Sequence, residues 1–78
     1  MKILPTPLQD LYIISPAVFE DNRGFFYESF NAKKLEEAGL NYNFIQDNHS
    51  KSSYGVLRGL HYQNNPFAQA KLVRVTQG

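Results

Sequence analysis

The sequence has no cysteine, no tryptophan, no excess of either charge and no long apolar run. Each absence removes a class of protein. Without cysteine there is neither a disulfide staple nor a thiolate metal site. The formal net charge is +1, and Lys51, Arg58, Lys71 and Arg74 are scattered through the second half. No basic stripe exists to follow a phosphate backbone, so nucleic acid is not an expected partner. No apolar stretch approaches the ~20 residues of a membrane-spanning helix. The N-terminal apolar run is short and cut by Pro5 and Pro7, so it does not read as a signal peptide. A cytoplasmic, membrane-free protein is expected. With 78 residues, one small domain is the upper limit, and that size is marginal without a staple or a partner.

What the chain does have is aromatic rings and turn residues. Five Tyr and six Phe could serve as core, interface or stacking surface. Residues Leu8 to Val18 read as one or two short strands interrupted at Ser15-Pro16. Phe19 to Gly24 reads as a turn, because Asp21, Asn22 and Gly24 suit turn dihedrals. Gly24 to Phe30 is an aromatic strand. Its alternation places Phe26, Glu28 and Phe30 on one face, and Phe25 and Tyr27 on the other. Asn31 is a natural N-cap for a short helix over Ala32–Ala38. Lys33 and Glu37 stand i,i+4 along it, and Gly39 sits where a helix stops. Strands are then expected over Asn43–His49, Val56–Gln63 and Ala70–Thr76. Short strands separated by turn signals predict a mainly β fold, an antiparallel sandwich or barrel with one short helix near 32–38. The apolar side chains around Leu72–Val75 call for a neighbouring strand and a facing sheet. The chain thus reads as the first part of a larger β domain, or one completed by a partner, and its last strand could pair with a second copy.

The chemistry concentrates in two runs, Gln46-Asp47-Asn48-His49-Ser50 and Arg58-Gly59-Leu60-His61-Tyr62-Gln63. Amide, guanidinium and imidazole groups in strand-like sequence are costly unless they meet partners, and a ligand is one such partner. His61 is the natural proton acceptor near neutral pH. Taken alone, a strand histidine is more often a structural residue. Arg58, Gln63 and Lys71 around it shift the balance, since Arg58 is a fork suited to phosphate. Strict alternation puts Arg58 and His61 on opposite faces, but a bulge at Gly59 would bring them together. Gln46 and Asn48 share a parity, as a solvent edge or as a pair of amides for a sugar or base. Arg23 and Glu28, flanking the aromatic strand, read first as a solvated turn arginine and a strand-face carboxylate. No metal site is expected: His49 and His61 are far apart, and Gln63 stands where a His-x-His pair would place its second imidazole. No phosphate-binding glycine loop and no serine elbow is present.

Four segments in this order resemble the dTDP-4-dehydrorhamnose 3,5-epimerase family. They are Phe19-Glu20-Asp21-Asn22-Arg23-Gly24-Phe25-Phe26-Tyr27-Glu28, Gln46 to Ser50, Gly55 to Gln63, and Ala68 to Val75. The resemblance implies a cupin-type jelly roll without the usual cupin metal, needing no cofactor and assembled as a homodimer. It implies a dTDP-linked 4-keto-6-deoxyhexose as substrate and a place in dTDP-L-rhamnose synthesis. By motif position, His61 corresponds to the general base and Lys71 to the group beside the C4 keto oxygen. Arg58 matches a diphosphate contact, and Gln46, Asp47 and Asn48 match a substrate-binding stretch. Phe19, Arg23, Phe26 and Glu28 match the segment that reaches the nucleotide, partly across the dimer interface. Relatives that epimerise one centre or shift the ketone share much of this half, and a non-catalytic dTDP-sugar-binding remnant is a further alternative.

The same resemblance puts the tyrosine acid, and the aspartate that orients the histidine, beyond position 78. Residues 1–78 then make the N-terminal part of a single epimerase domain. The expected outcome for the isolated chain is no turnover of dTDP-4-keto-6-deoxyglucose to the rhamno epimer. Proton NMR of the product checks this, and robust epimer formation by the pure 78-residue chain would refute it.

Overall fold

The computed structural model describes residues 1–66 and 68–78. They form two compact units, Met1–Tyr42 and Asn43–Gly78. All regular elements lie in the first: β1 (Lys2–Pro5), β2 (Tyr12–Ser15), β3 (Val18–Asp21), β4 (Gly24–Tyr27) and α1 (Ala32–Glu37). The strands make two antiparallel hairpins, β1 with β2 and β3 with β4. The mainly antiparallel character with one short helix is what an incomplete cupin-like sandwich presents.

In the first hairpin Ile3 stands opposite Ile14, and both are half-buried. Strand β1 adds to the strands expected from the sequence, which begin at Leu8. Pro5 is tolerated as the last residue of a strand, where a missing donor costs no internal ladder bond. The loop between the strands is tied by Thr6, whose hydroxyl accepts from the Leu8 N–H at 3.2 Å. Pro16 and Ala17 separate β2 from β3, as the Ser15-Pro16 break predicts.

The second hairpin carries Phe19 opposite Phe26 and Glu20 opposite Phe25. The expected turn over Phe19–Gly24 is therefore shorter: Phe19, Glu20 and Asp21 are strand, and Asn22-Arg23 alone turn the chain. Aromatic cross-strand pairing holds Phe19 in the ladder. Gly24 leaves the turn at φ 137°, a value that side chains with a Cβ avoid. Phe25 and Tyr27 share a face as alternation requires, with ring centroids 5.9 Å apart and planes 14° from parallel.

Helix α1 ends at Glu37, with Ala38 as its C-cap. Asn31 caps it as predicted, its side chain accepting from the Lys34 N–H at 3.1 Å. At the other end the Gly39 N–H donates to Glu36 O at 2.9 Å and the Leu40 N–H to Leu35 O at 2.8 Å. That pair of bonds, with Gly39 at φ 87°, is a Schellman cap. Lys33 and Glu37 form no ion pair; among the described residues Lys34 reaches back to Glu28 instead.

The second unit carries no strand among its described residues, which corrects the expectation for Asn43–His49, Val56–Gln63 and Ala70–Thr76. It has turns at Tyr54–Gly55 and Asn65–Pro66 and a bend at Thr76. The physical reason is the ladder: β-prone residues become a strand only beside a partner that takes their N–H and C=O groups. Gly59 has a left-handed φ of 122°, yet with no partner strand there is no ladder for a bulge to interrupt.

Burial is sparse. Leu35, at 4% exposure, is the buried hydrophobic residue among those described. Capping therefore carries an unusual share of the helix's stability. Gly39→Ala should weaken α1 by about 1 kcal/mol through backbone strain alone, since a Cβ there meets nothing within 4 Å. Amide exchange across Ala32–Ala38 would be correspondingly faster; unchanged protection would contradict the cap's role.

Candidate functional site

Strand parity gathers one group of candidate residues. Phe19 and Phe26 are register partners, so their side chains leave the hairpin on one face, and Glu28 follows two residues beyond Phe26. Phe19, Phe26 and Glu28 line a shallow, open depression with Pro16, Met1 and Lys34. Three of the four residues matched to the nucleotide-reaching segment thus meet at one place. Both rings are exposed, which leaves their faces open to a flat ligand.

Glu28 is held at the rim. Lys34 Nζ lies 3.0 Å from Glu28 Oε1, with both side chains about half exposed. This hydrogen bond, followed by one from Asn31, pulls the Glu28 carboxyl below its ordinary range, and the positive chain terminus adds to the effect.

Arg23 does not line that depression. It sits on the two-residue turn in a shallower hollow with Asp21, Gly24 and Phe25. Its backbone N–H donates to Asp21 Oδ1 at 2.8 Å, and its Nε donates to Asp21 Oδ2 at 3.1 Å. Nη2 reaches the same Oδ2 atom. The Asp21 carboxyl is depressed chiefly by this guanidinium, and the Arg23 guanidinium is raised by the carboxylate.

The remaining candidates lie in the second unit. Gln46 Nε2 donates to Asn48 Oδ1 at 3.3 Å, so the two amides do turn to one side as their parity predicts. Asp47, Arg58, His61 and Lys71 are exposed. Among the described residues no side-chain hydrogen bond or ion pair ties His61, Arg58 or Lys71 to a neighbour. No group of three or more His, Cys, Asp or Glu among the described residues could hold a metal ion. No helix among them is long and apolar enough to cross a membrane.

Sequence reasoning missed Asp21 and Lys34. The first left a signal: an Asp two residues before Arg in a turn closes a side-chain-to-backbone ring of its own. Lys34 left none, because its partner Glu28 precedes the helix and the pairing depends on how the chain bends at Ser29–Asn31.

Comparison with known proteins identifies the family. The family profile for dTDP-4-dehydrorhamnose 3,5-epimerase matches residues 5–78. A protein of that name from Shigella flexneri is 58% identical over the whole chain, and one from Escherichia coli K12 is 53% identical. A crystal structure of dTDP-4-dehydrorhamnose 3,5-epimerase from Elizabethkingia anophelis NUHP1 superposes with a TM-score of 0.75 at 65% identity. It covers 87% of this chain and 38% of its own. The chain belongs to the dTDP-4-dehydrorhamnose 3,5-epimerase family. It spans 44% and 43% of the length of the Shigella and Escherichia relatives.

Both paired carboxylates titrate low, which fixes a sign. A depressed folded-state value contributes stability that is present above the ordinary carboxylate range and is lost as pH falls through the depressed value. Lys34→Met should move the Glu28 midpoint up toward the ordinary range and leave that of Asp21 in place. Carboxyl-carbon NMR titration reads both, and an unmoved Glu28 midpoint would refute the assignment.

Proposed function

We propose that this chain supplies the base-bearing and nucleotide-contacting part of an epimerase acting on a dTDP-linked 4-keto-6-deoxyhexose, on the way to dTDP-L-rhamnose. The observation that carries the reading is the family match over residues 5–78, which includes every candidate residue in order. The chemistry suits those residues. Protons at C3 and C5 are both α to the C4 ketone, so removal of either gives an enolate. His61, as a neutral imidazole, takes the proton. The Lys71 ammonium stabilises the developing oxyanion at C4, a contribution of about 10²–10³ in rate. Arg58 binds the diphosphate and so helps to hold the sugar at the base. Gln46, Asp47 and Asn48 contact the substrate beside it.

In this reading Phe19 and Phe26 offer ring faces to the thymine, while Glu28 and Arg23 hydrogen-bond the nucleotide. Support comes from the open depression that Phe19, Phe26 and Glu28 line together. The chain acts in the cytoplasm, as the N-terminal part of one cupin-like domain, and pairs into a homodimer that shares site residues across its interface. The many exposed rings and aliphatic side chains, Phe25, Phe30 and Val18 among them, suit burial by further protein surface.

The test follows the proton. In D₂O, a form of the protein that spans the whole epimerase domain should introduce deuterium at C3 and C5 of dTDP-4-keto-6-deoxyglucose, read by loss of those proton signals. His61→Ala should slow this by about 10²–10⁴. Exchange at one carbon alone would point to a single-centre epimerase or a ketoisomerase. Binding of dTDP with no exchange at all would overturn the catalytic reading in favour of a binding module.

A further inference from the structure

The Asp21–Arg23 pair does more than close a turn. Asp21 uses its two oxygens separately: Oδ1 accepts the Arg23 backbone N–H, and Oδ2 accepts from Nε and Nη2 of the same residue. A surface arginine ordinarily samples many rotamers, and ordering it on a ligand opposes binding. Here one edge of the guanidinium is already fixed to the turn that carries it. Nη1 is left without a partner among the described residues. The turn itself is anchored by the β3–β4 register, in which Asp21 stands opposite Gly24. The donor edge of Arg23 is therefore held in a set direction before any ligand arrives. The Asp21 carboxyl, lowered chiefly by its hydrogen bond to Arg23, agrees with this geometry.

We propose that Asp21 is a positioning residue for Arg23, orienting the guanidinium so that its outer N–H groups meet an acceptor oxygen of the bound nucleotide. The proposal rests on the reading of Arg23 as a nucleotide contact, and the experiment separates the two. Affinity for dTDP is measured by NMR titration for the unsubstituted chain, Asp21→Asn, Arg23→Gln and the double variant. Asp21→Asn keeps an oxygen for the Arg23 backbone N–H but loses the charge that grips the guanidinium. Amide shifts of Val18–Tyr27 report whether the hairpin persists. Should it be lost, Asp21→Ser, whose hydroxyl can also accept that N–H, repeats the test.

Asp21→Asn should weaken dTDP binding by about two- to five-fold. In the Arg23→Gln background the same change should have no effect, and that dependence is what a purely structural role would not produce. An equal loss in both backgrounds, or no loss in either, overturns the positioning role. If Arg23→Gln itself leaves dTDP affinity unchanged, or the unsubstituted chain does not bind dTDP, the nucleotide-contact reading falls and takes this inference with it.

Discussion

A β-strand is a relation between two segments, and this chain depends on where that relation can be satisfied. Each backbone N–H and C=O needs a partner, and water is the alternative to another strand. Lys2–Pro5 finds Tyr12–Ser15, and Val18–Asp21 finds Gly24–Tyr27, each within a few residues. Local pairing of this kind closes small loops at little entropic cost. The segments after Tyr42 also carry β-branched and aromatic residues, Phe44, Ile45, Val56, Tyr62, Val73 and Val75 among them, yet among the described residues none is paired. Propensity prepares a segment for a ladder without creating one.

The first unit shows how much a single hairpin can organise. Its parity sends Phe19, Phe26 and Glu28 to one face and stacks Phe25 on Tyr27 on the other. Helix α1, capped by Asn31, then contributes Lys34 to the rim. A shared surface of this kind can thus be arranged with almost no buried core, because hydrogen-bonded registers and caps set side-chain direction where packing does not. The cost is stability: isolated two-stranded pairs are marginal in water, and Leu35 alone is removed from solvent among the described residues.

Local devices were the legible part of this molecule. The Asn31 cap, the Gly39 stop, the break at Ser15-Pro16 and the shared face of Phe25 and Tyr27 each follow from two or three neighbouring residues, and each is present. Family membership was legible as well, because Gln46–Ser50, Gly55–Gln63 and their flanking segments keep residue types that packing alone would not choose. Contacts reaching across a bend were not. The ion pair runs from Lys34 to Glu28, not along the i,i+4 spacing of Lys33 and Glu37, and β1 ends on a proline ahead of the first expected strand. The three later strands failed for a different reason. Their sequence describes the inside of a sheet, and a sheet is made by segments far apart along a chain.

The two-residue turn at Asn22-Arg23 has an evolutionary consequence. Side chains alternate with a period of two, so adding or removing one residue there would shift the β3–β4 pairing by one position. Phe19 and Phe26 would then leave opposite sides of the ribbon, and Arg23 would lose its fixed distance from Asp21. Point substitutions in the turn disturb one contact, whereas a change of length would scatter them all. Lineages that keep this shared face should therefore tolerate new residue types in the hairpin far more readily than insertions or deletions.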